Sequence, residues 1–125
     1  MSSGKKMILA VDDMQTNLQV IKIVLGDEFE VRLAKSGNVA LTALDRITPD
    51  LILLDIEMPE ISGFDVMDSI NENSRLKTIP VIFVTSHTEP ELLTEAMQKG
   101  AKDYVTKPFE PDFLRGKVRH ALKVA

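Results

Sequence analysis

The chain has 125 residues, 44% hydrophobic and 27% charged, with a formal net charge of -4, which suits one domain over 1–125 built on a single buried core. No basic stripe stands out, so direct nucleic-acid binding is not expected. The absence of cysteine removes thiol nucleophiles, disulfides and cysteine-held zinc, and leaves the redox compartment open.

The basic start Met1-Ser2-Ser3-Gly4-Lys5-Lys6 is expected to be a flexible extension over residues 1–6. The apolar run that follows, Met7 to Val11, is cut off by Asp12 and Asp13 too early for a signal peptide, and no stretch approaches the roughly 18 apolar residues of a membrane span. A cytoplasmic chain without membrane contact is the expectation. Five short apolar runs then read as strands: Met7–Asp12, Phe29–Ala34, Leu51–Asp55, Val81–Thr85 and Asp103–Thr106. Leu51-Ile52-Leu53-Leu54 and Val81-Ile82-Phe83-Val84 are apolar on both faces, as central parallel strands under helices must be. Phe29-Glu30-Val31-Arg32-Leu33 alternates instead, which suits an edge strand.

Between the strands the period becomes helical. Met14, Leu18, Ile21 and Leu25 share one face before Gly26; Ala40, Leu44 and Ile47 make the next stripe, closed by Pro49. Val66, Met67 and Ile70 lead into the polar loop Asn71–Ser74. Thr88-Glu89-Pro90-Glu91 has the spacing of a capping box, and Gly100 ends the helix it opens. Leu114, Val118 and Leu122 mark a last helix after Pro111. Met7, Met67 and Met97 fall on apolar faces and are expected in the core. Five β-α units in succession imply a doubly wound parallel sheet with helices on both faces.

In such a sheet, ligands bind beyond the carboxyl ends of the strands. Asp12 and Asp13 close the first strand, Asp55 the third and Thr85 the fourth, and Lys107 follows the fifth. Each alone reads as a turn former, a cap or a solvated charge. Together they do not, because a fold gains nothing by aiming three carboxylates at one another. Clustered carboxylates need a proton or a cation. Hard oxygen ligands without His or Cys point to Mg²⁺, with Mn²⁺ as the alternative, and that ion is commonly shared with phosphate. Carboxylates form aspartyl phosphates, and Lys107 and Thr85 would supply the cation and hydroxyl such a group needs.

Val11-Asp12-Asp13, Leu54-Asp55-Ile56-Glu57-Met58-Pro59, Gly63, Val84-Thr85-Ser86 and Asp103-Tyr104-Val105-Thr106-Lys107-Pro108-Phe109 resemble, in order and spacing, the signatures of response-regulator receiver domains. The resemblance covers nearly the whole chain. It implies a flavodoxin-like five-stranded sheet of order 2-1-3-4-5, and a two-component signalling module that takes a phosphoryl group on Asp55 from a histidine kinase or phosphotransfer protein. It further implies Mg²⁺ held by Asp13 directly, Asp12 through water, Asp55 and the backbone carbonyl of Glu57. Thr85 and Lys107 would stabilise the phosphoryl group, Thr85 and Tyr104 would act as the switch pair, and the Lys107–Pro108 bond would be cis. Glu57 and His87 flank Asp55 and Thr85 at exposed positions from which they could modulate phosphoryl lifetime.

A rival reading is a small phosphatase of the haloacid-dehalogenase type. Against it, the nucleophile strand would carry Asp-x-Asp where this chain has Asp55-Ile56-Glu57, and the second acidic cluster would follow the lysine rather than precede everything. The expected protein is therefore not a multiple-turnover enzyme. Its output surface is expected on the fourth helix, fifth strand and fifth helix, where Glu91, Glu95, Lys99, Asp103, Lys117 and Arg119 mix signs and suit ion pairs in a homodimer or with an output domain.

Overall fold

The computed structural model describes residues 4–124. Its elements alternate without exception: β1 (Met7–Val11), α1 (Gln15–Leu25), β2 (Glu30–Ala34), α2 (Gly37–Leu44), β3 (Leu51–Leu54), α3 (Gly63–Asn71), β4 (Val81–Thr85), α4 (Pro90–Gln98), β5 (Asp103–Thr106) and α5 (Pro111–Leu122). The strands form one parallel sheet in the order β2-β1-β3-β4-β5. Order, orientation and helix count match the expected flavodoxin-like fold.

Because side chains alternate along a strand, the sheet sorts its residues into two cores. Leu9, Val11, Ile52, Leu54 and Phe83 point to one face and pack with α2, α3 and Ala96 of α4. Ile8, Ala10, Leu51, Leu53, Ile82 and Val84 point to the other, under α1 and α5. All four residues of β3 and all five of β4 are buried, which is why those segments read as unbroken apolar runs. Strand β2 lies at one edge and exposes Arg32.

Several expectations are corrected. The first and third strands end one residue early, at Val11 and Leu54, so Asp12 and Asp55 open the loops. Met14 is the N-cap of α1 and 53% exposed, and the buried stripe is Leu18, Ile21, Val24 and Leu25. Helix α2 stops at Leu44, so Ile47 lies beyond it. Met97 is 45% exposed on α4, while Met67 is buried. No capping box forms at Thr88; Glu89 caps α4 without a side-chain hydrogen bond, and Pro90 takes the first helical position. The capping box is at α3 instead, where Ser62 accepts from the Asp65 N–H and Asp65 accepts from the Ser62 N–H.

Gly100 does end α4, at φ 100°, with Gly100 N–H donating to Met97 O and Ala101 N–H to Ala96 O. At the other end of the chain, residues 1–3 of the expected extension lie outside the described residues. Lys6 is tied to the sheet, its carbonyl accepting from Glu30 N–H at 2.9 Å. Among the described residues no helix is long and apolar enough to cross a membrane.

Candidate functional site

The carboxyl ends of β1, β3 and β4 and the segment after β5 meet at one rim. Asp55 follows β3 and is held by its own N–H, which donates to Val11 O at 3.0 Å. The start of α3 presses on it from behind, Gly63 N–H donating to Ile56 O at 2.7 Å. Only glycine permits that approach: a Cβ on Gly63 would lie 2.0 Å from Asp55 O. The intervening loop carries Glu60 at φ 70°, an uncommon conformation for a non-glycine residue.

Asp12 is buried and fully engaged. Its Oδ1 accepts from Met14 N–H at 2.9 Å, and its Oδ2 accepts from Asn17 Nδ2 at 3.2 Å and Lys107 Nζ at 2.9 Å. Lys107 also lies 3.5 Å from Asp55 Oδ2, and its N–H donates to Thr85 O at 2.8 Å. The Lys107–Pro108 peptide is cis. Asp13 is exposed beside these groups. One carboxylate oxygen from each of Asp12, Asp13 and Asp55 lies within 4.8 Å of the others, and the cleft that Asp13 and Asp55 border, lined also by Glu57, Ser86 and His87, has a volume of about 530 Å³.

Burial pushes the Asp55 carboxyl up to about 6, and Asp12 adds to the rise; Lys107 and the Ile56 N–H oppose it. One ammonium among three carboxylates leaves net negative charge at the mouth of a cleft built of hard oxygen donors. That donor set fits a hard divalent cation. Asp13 and Asp55 have oxygens free of the hydrogen bonds that occupy Asp12, so they fit direct contact and Asp12 fits contact through water.

The family model for the response regulator receiver domain matches residues 8–119. The chain is a response-regulator receiver domain. It is 40% identical over 116 residues to a Vibrio cholerae protein named "Probable cyclic di-GMP phosphodiesterase", covering 93% of this chain and 26% of that protein. With the DNA-binding response regulator MtrA of Mycolicibacterium smegmatis it shares 35% identity over 98% of this chain and 53% of that one. The chain thus spans about a quarter to a half of these relatives. Among solved structures it resembles the chemotaxis protein CheY4 of Vibrio cholerae, at 30% identity and TM-score 0.90 over 94% of this chain and 99% of that chain.

The structure brings five of the anticipated groups of this receiver to one cleft: Asp13, Asp55, Glu57, His87 and Lys107, with Asp12 buried beneath. Thr85 is wholly buried at the end of β4, and its Oγ1 accepts from His87 N–H at 3.0 Å. Tyr104 lies elsewhere, half-buried in a separate groove with Leu93, Thr94, Met97 and Gln98. Glu57 and His87, expected as separate flanking groups, touch each other: His87 Nε2 is 2.8 Å from Glu57 Oε2 and its Nδ1 is 3.5 Å from Glu89 Oε2. The Glu89 carboxyl is held below its usual value, first by its own backbone N–H and then by His87.

The roles of Met14, Asn17 and Glu89 escaped sequence reasoning. Asn17, five residues after Asp12 and in the first turn of α1, had a legible spacing; Glu89 depends on a loop conformation that no local pattern encodes.

Three of the cations expected to pair across an output interface are held within the chain: Lys99 by Asp68 at 2.8 Å, Lys117 by Asp103 at 2.9 Å and Arg119 by Glu28 at 2.7 Å. Glu91 and Glu95 have no ion pair within 4 Å among the described residues.

Proposed function

We propose that Asp55 is the phosphoacceptor and that the donor is a histidine kinase or a histidine phosphotransfer protein of the cytoplasm. The observation that carries this reading is the placement of Asp55, a carboxylate at the end of a central strand with Lys107 Nζ 3.5 Å away and two further carboxylates facing it. An ionised Asp55 oxygen attacks phosphorus, the donor's P–N bond breaks, and the imidazole keeps the electron pair and takes a proton from solvent. Lys107 bridges Asp12 and Asp55 and is placed to neutralise an oxygen of the arriving group.

Mg²⁺ would be held by Asp13, Asp55 and the Glu57 carbonyl, with Asp12 through water, and Mn²⁺ would fit the same donors. When bound it supplies charge neutralisation to the phosphoryl oxygens and lowers the pKa of Asp55.

Thr85 is proposed as the sensor. Its hydroxyl now accepts from His87 N–H, and as a donor it would turn to a phosphoryl oxygen and draw the 86–89 segment with it. Tyr104, in the groove between α4 and β5, would change its packing as α4 moves, altering the α4–β5–α5 surface offered to a homodimer or an output domain. Glu57 and His87 touch each other at the wall of the cleft and would govern access of water to the phosphoryl group.

This reading makes the protein a single-use acceptor with slow self-hydrolysis rather than an enzyme. Acetyl phosphate with Mg²⁺ should add one alkali- and hydroxylamine-labile phosphoryl group per chain, and Asp55→Asn should abolish it with the fold retained. Many phosphates released per chain, or equal labelling of Asp55→Asn, would contradict it.

A further inference from the structure

Asp12 is 1% exposed, and a carboxylate so placed depends on its hydrogen bonds. Its two oxygens are served unequally. Oδ1 accepts from Met14 N–H at 2.9 Å, a contact that pins the carboxylate against the start of α1. Oδ2 accepts from Lys107 Nζ at 2.9 Å and from Asn17 Nδ2 at 3.2 Å. Lys107 therefore shares one oxygen with a neutral amide, and stands 3.5 Å from Asp55 Oδ2, at the far limit of hydrogen bonding.

The side chain of Asn17 does no work for its own helix. It is the third residue of α1, where alanine would be the better helix former. Nor does it cap the helix, since the N-cap Met14 has its N–H on Asp12. The amide is half-buried and lines the same cleft as Asp13, Asp55 and Lys107.

We propose that Asn17 is a positioning residue for phosphoryl acceptance, its amide keeping Asp12 satisfied while Lys107 leaves it for the phosphoryl group. This rests on the reading of Asp55 as phosphoacceptor. A phosphoryl group on Asp55 presents strong acceptor oxygens with which an ammonium pairs. To follow them, Lys107 gives up contact with Asp12 Oδ2. Because Oδ1 is pinned, the carboxylate has no freedom to turn and compensate. A buried charged oxygen left without a donor is costly, more so than the net worth of an ordinary hydrogen bond. Asn17 Nδ2 removes that cost. Its contribution is small while Lys107 sits on Asp12 and large once Lys107 has moved. A neutral donor suits the position, because a carboxylate there would hold Lys107 back and a second cation would repel Mg²⁺. A hydrogen bond with a merely structural role would weigh equally in both states.

The asymmetry is tested with two ligands on the intact chain, each titrated by amide NMR shifts: Mg²⁺ alone, and beryllofluoride, a tetrahedral mimic of the phosphoryl group, at saturating Mg²⁺. Asn17→Leu keeps the volume and removes the donor. It should bind beryllofluoride about fivefold more weakly, with no loss of Mg²⁺ affinity. Asn17→Gln returns an amide on a stem one carbon longer and should recover most of the difference. Asn17→Leu binding beryllofluoride like the parent, affinity for both ligands falling in the same proportion, or Asn17→Gln no tighter than Asn17→Leu would each overturn the proposal. A parent that binds no beryllofluoride would instead overturn the phosphoacceptor reading, and this proposal with it.

Discussion

Helices α1 and α4 flank the same site, one leading away from Asp12 and Asp13 and the other following Thr85, yet they are held very differently. Four side chains of α1 are buried, Leu18, Ile21, Val24 and Leu25. Arg115 of α5 donates to Val24 O at 3.1 Å, and Arg119 clamps Glu28 just beyond the helix. Helix α4 buries Ala96 alone. Its C-terminal end is stapled, with Asn71 Nδ2 donating to Lys99 O at 2.8 Å and Lys99 Nζ paired with Asp68. Its N-terminal end has no side-chain cap, only the contacts of His87 with Glu57 and Glu89. A fully buried Leu or Ile contributes about 1.5–3 kcal/mol, and an alanine far less. The lesson is that α1 is held as scaffold along its length, whereas α4 is anchored chiefly at its C-terminal end.

The largest test of that contrast is truncation of the scaffold. Leu18→Ala or Ile21→Ala should cost about 2–5 kcal/mol in urea unfolding, with every segment of the protein affected together. Ala96→Gly should cost about 1 kcal/mol, the helix-propensity difference together with a lost buried methyl. Equal losses at the two helices would erase the distinction.

Next in size is the site between them. Burial raises the Asp55 carboxyl to about 6 in the folded, metal-free chain against 3.8 unfolded. The folded state therefore binds the proton more tightly, and its stability falls as pH rises from about 4 to about 6, remaining reduced above. Asp55→Asn should leave stability unchanged near pH 3.5 and raise it by about 2 kcal/mol at pH 7, a figure discounted for water at the cleft mouth. Urea unfolding of both proteins across this range, without metal, checks the sign. A gain independent of pH would assign the effect to something other than the carboxyl.

The same contrast explains what the sequence made legible. Leu51–Leu54 and Val81–Thr85 read clearly as strands because both faces are buried, and Leu18, Ile21 and Leu25 read as a stripe because α1 really is covered. Reading failed where burial is thin. Met97 looked like core by its spacing, but α4 has too little contact with the sheet to cover it, and Met14 lies at the cap where the helical face has not begun. The site was legible as a set of strand ends, because the topology of a parallel sheet alone brings Asp12, Asp13, Asp55 and Lys107 together. The hydrogen bonds that commit Asp12 to Met14, Asn17 and Lys107, and the bridge from His87 to Glu57 and Glu89, depend on rotamers and loop geometry that residue spacing does not carry.

Smaller effects distinguish the two ends of α4. Asn71→Ala removes the staple on Lys99 O and should cost about 1 kcal/mol, loosening the C-terminal end. His87→Ala removes two exposed contacts and should change global stability by under about 0.5 kcal/mol. It should nonetheless speed amide exchange over residues 86–92 while leaving α1 unaltered. Exchange unchanged at both ends would mean that neither contact restrains the helix.

The most direct measurement is amide hydrogen exchange of the intact chain with Mg²⁺, before and after acetyl phosphate, set beside the same pair for Asp55→Asn. The account predicts altered protection concentrated in residues 85–99 and at Tyr104, little change from Gln15 to Leu25, and no response in Asp55→Asn. Changes of equal size in α1 and α4, or a full response in Asp55→Asn, would contradict it.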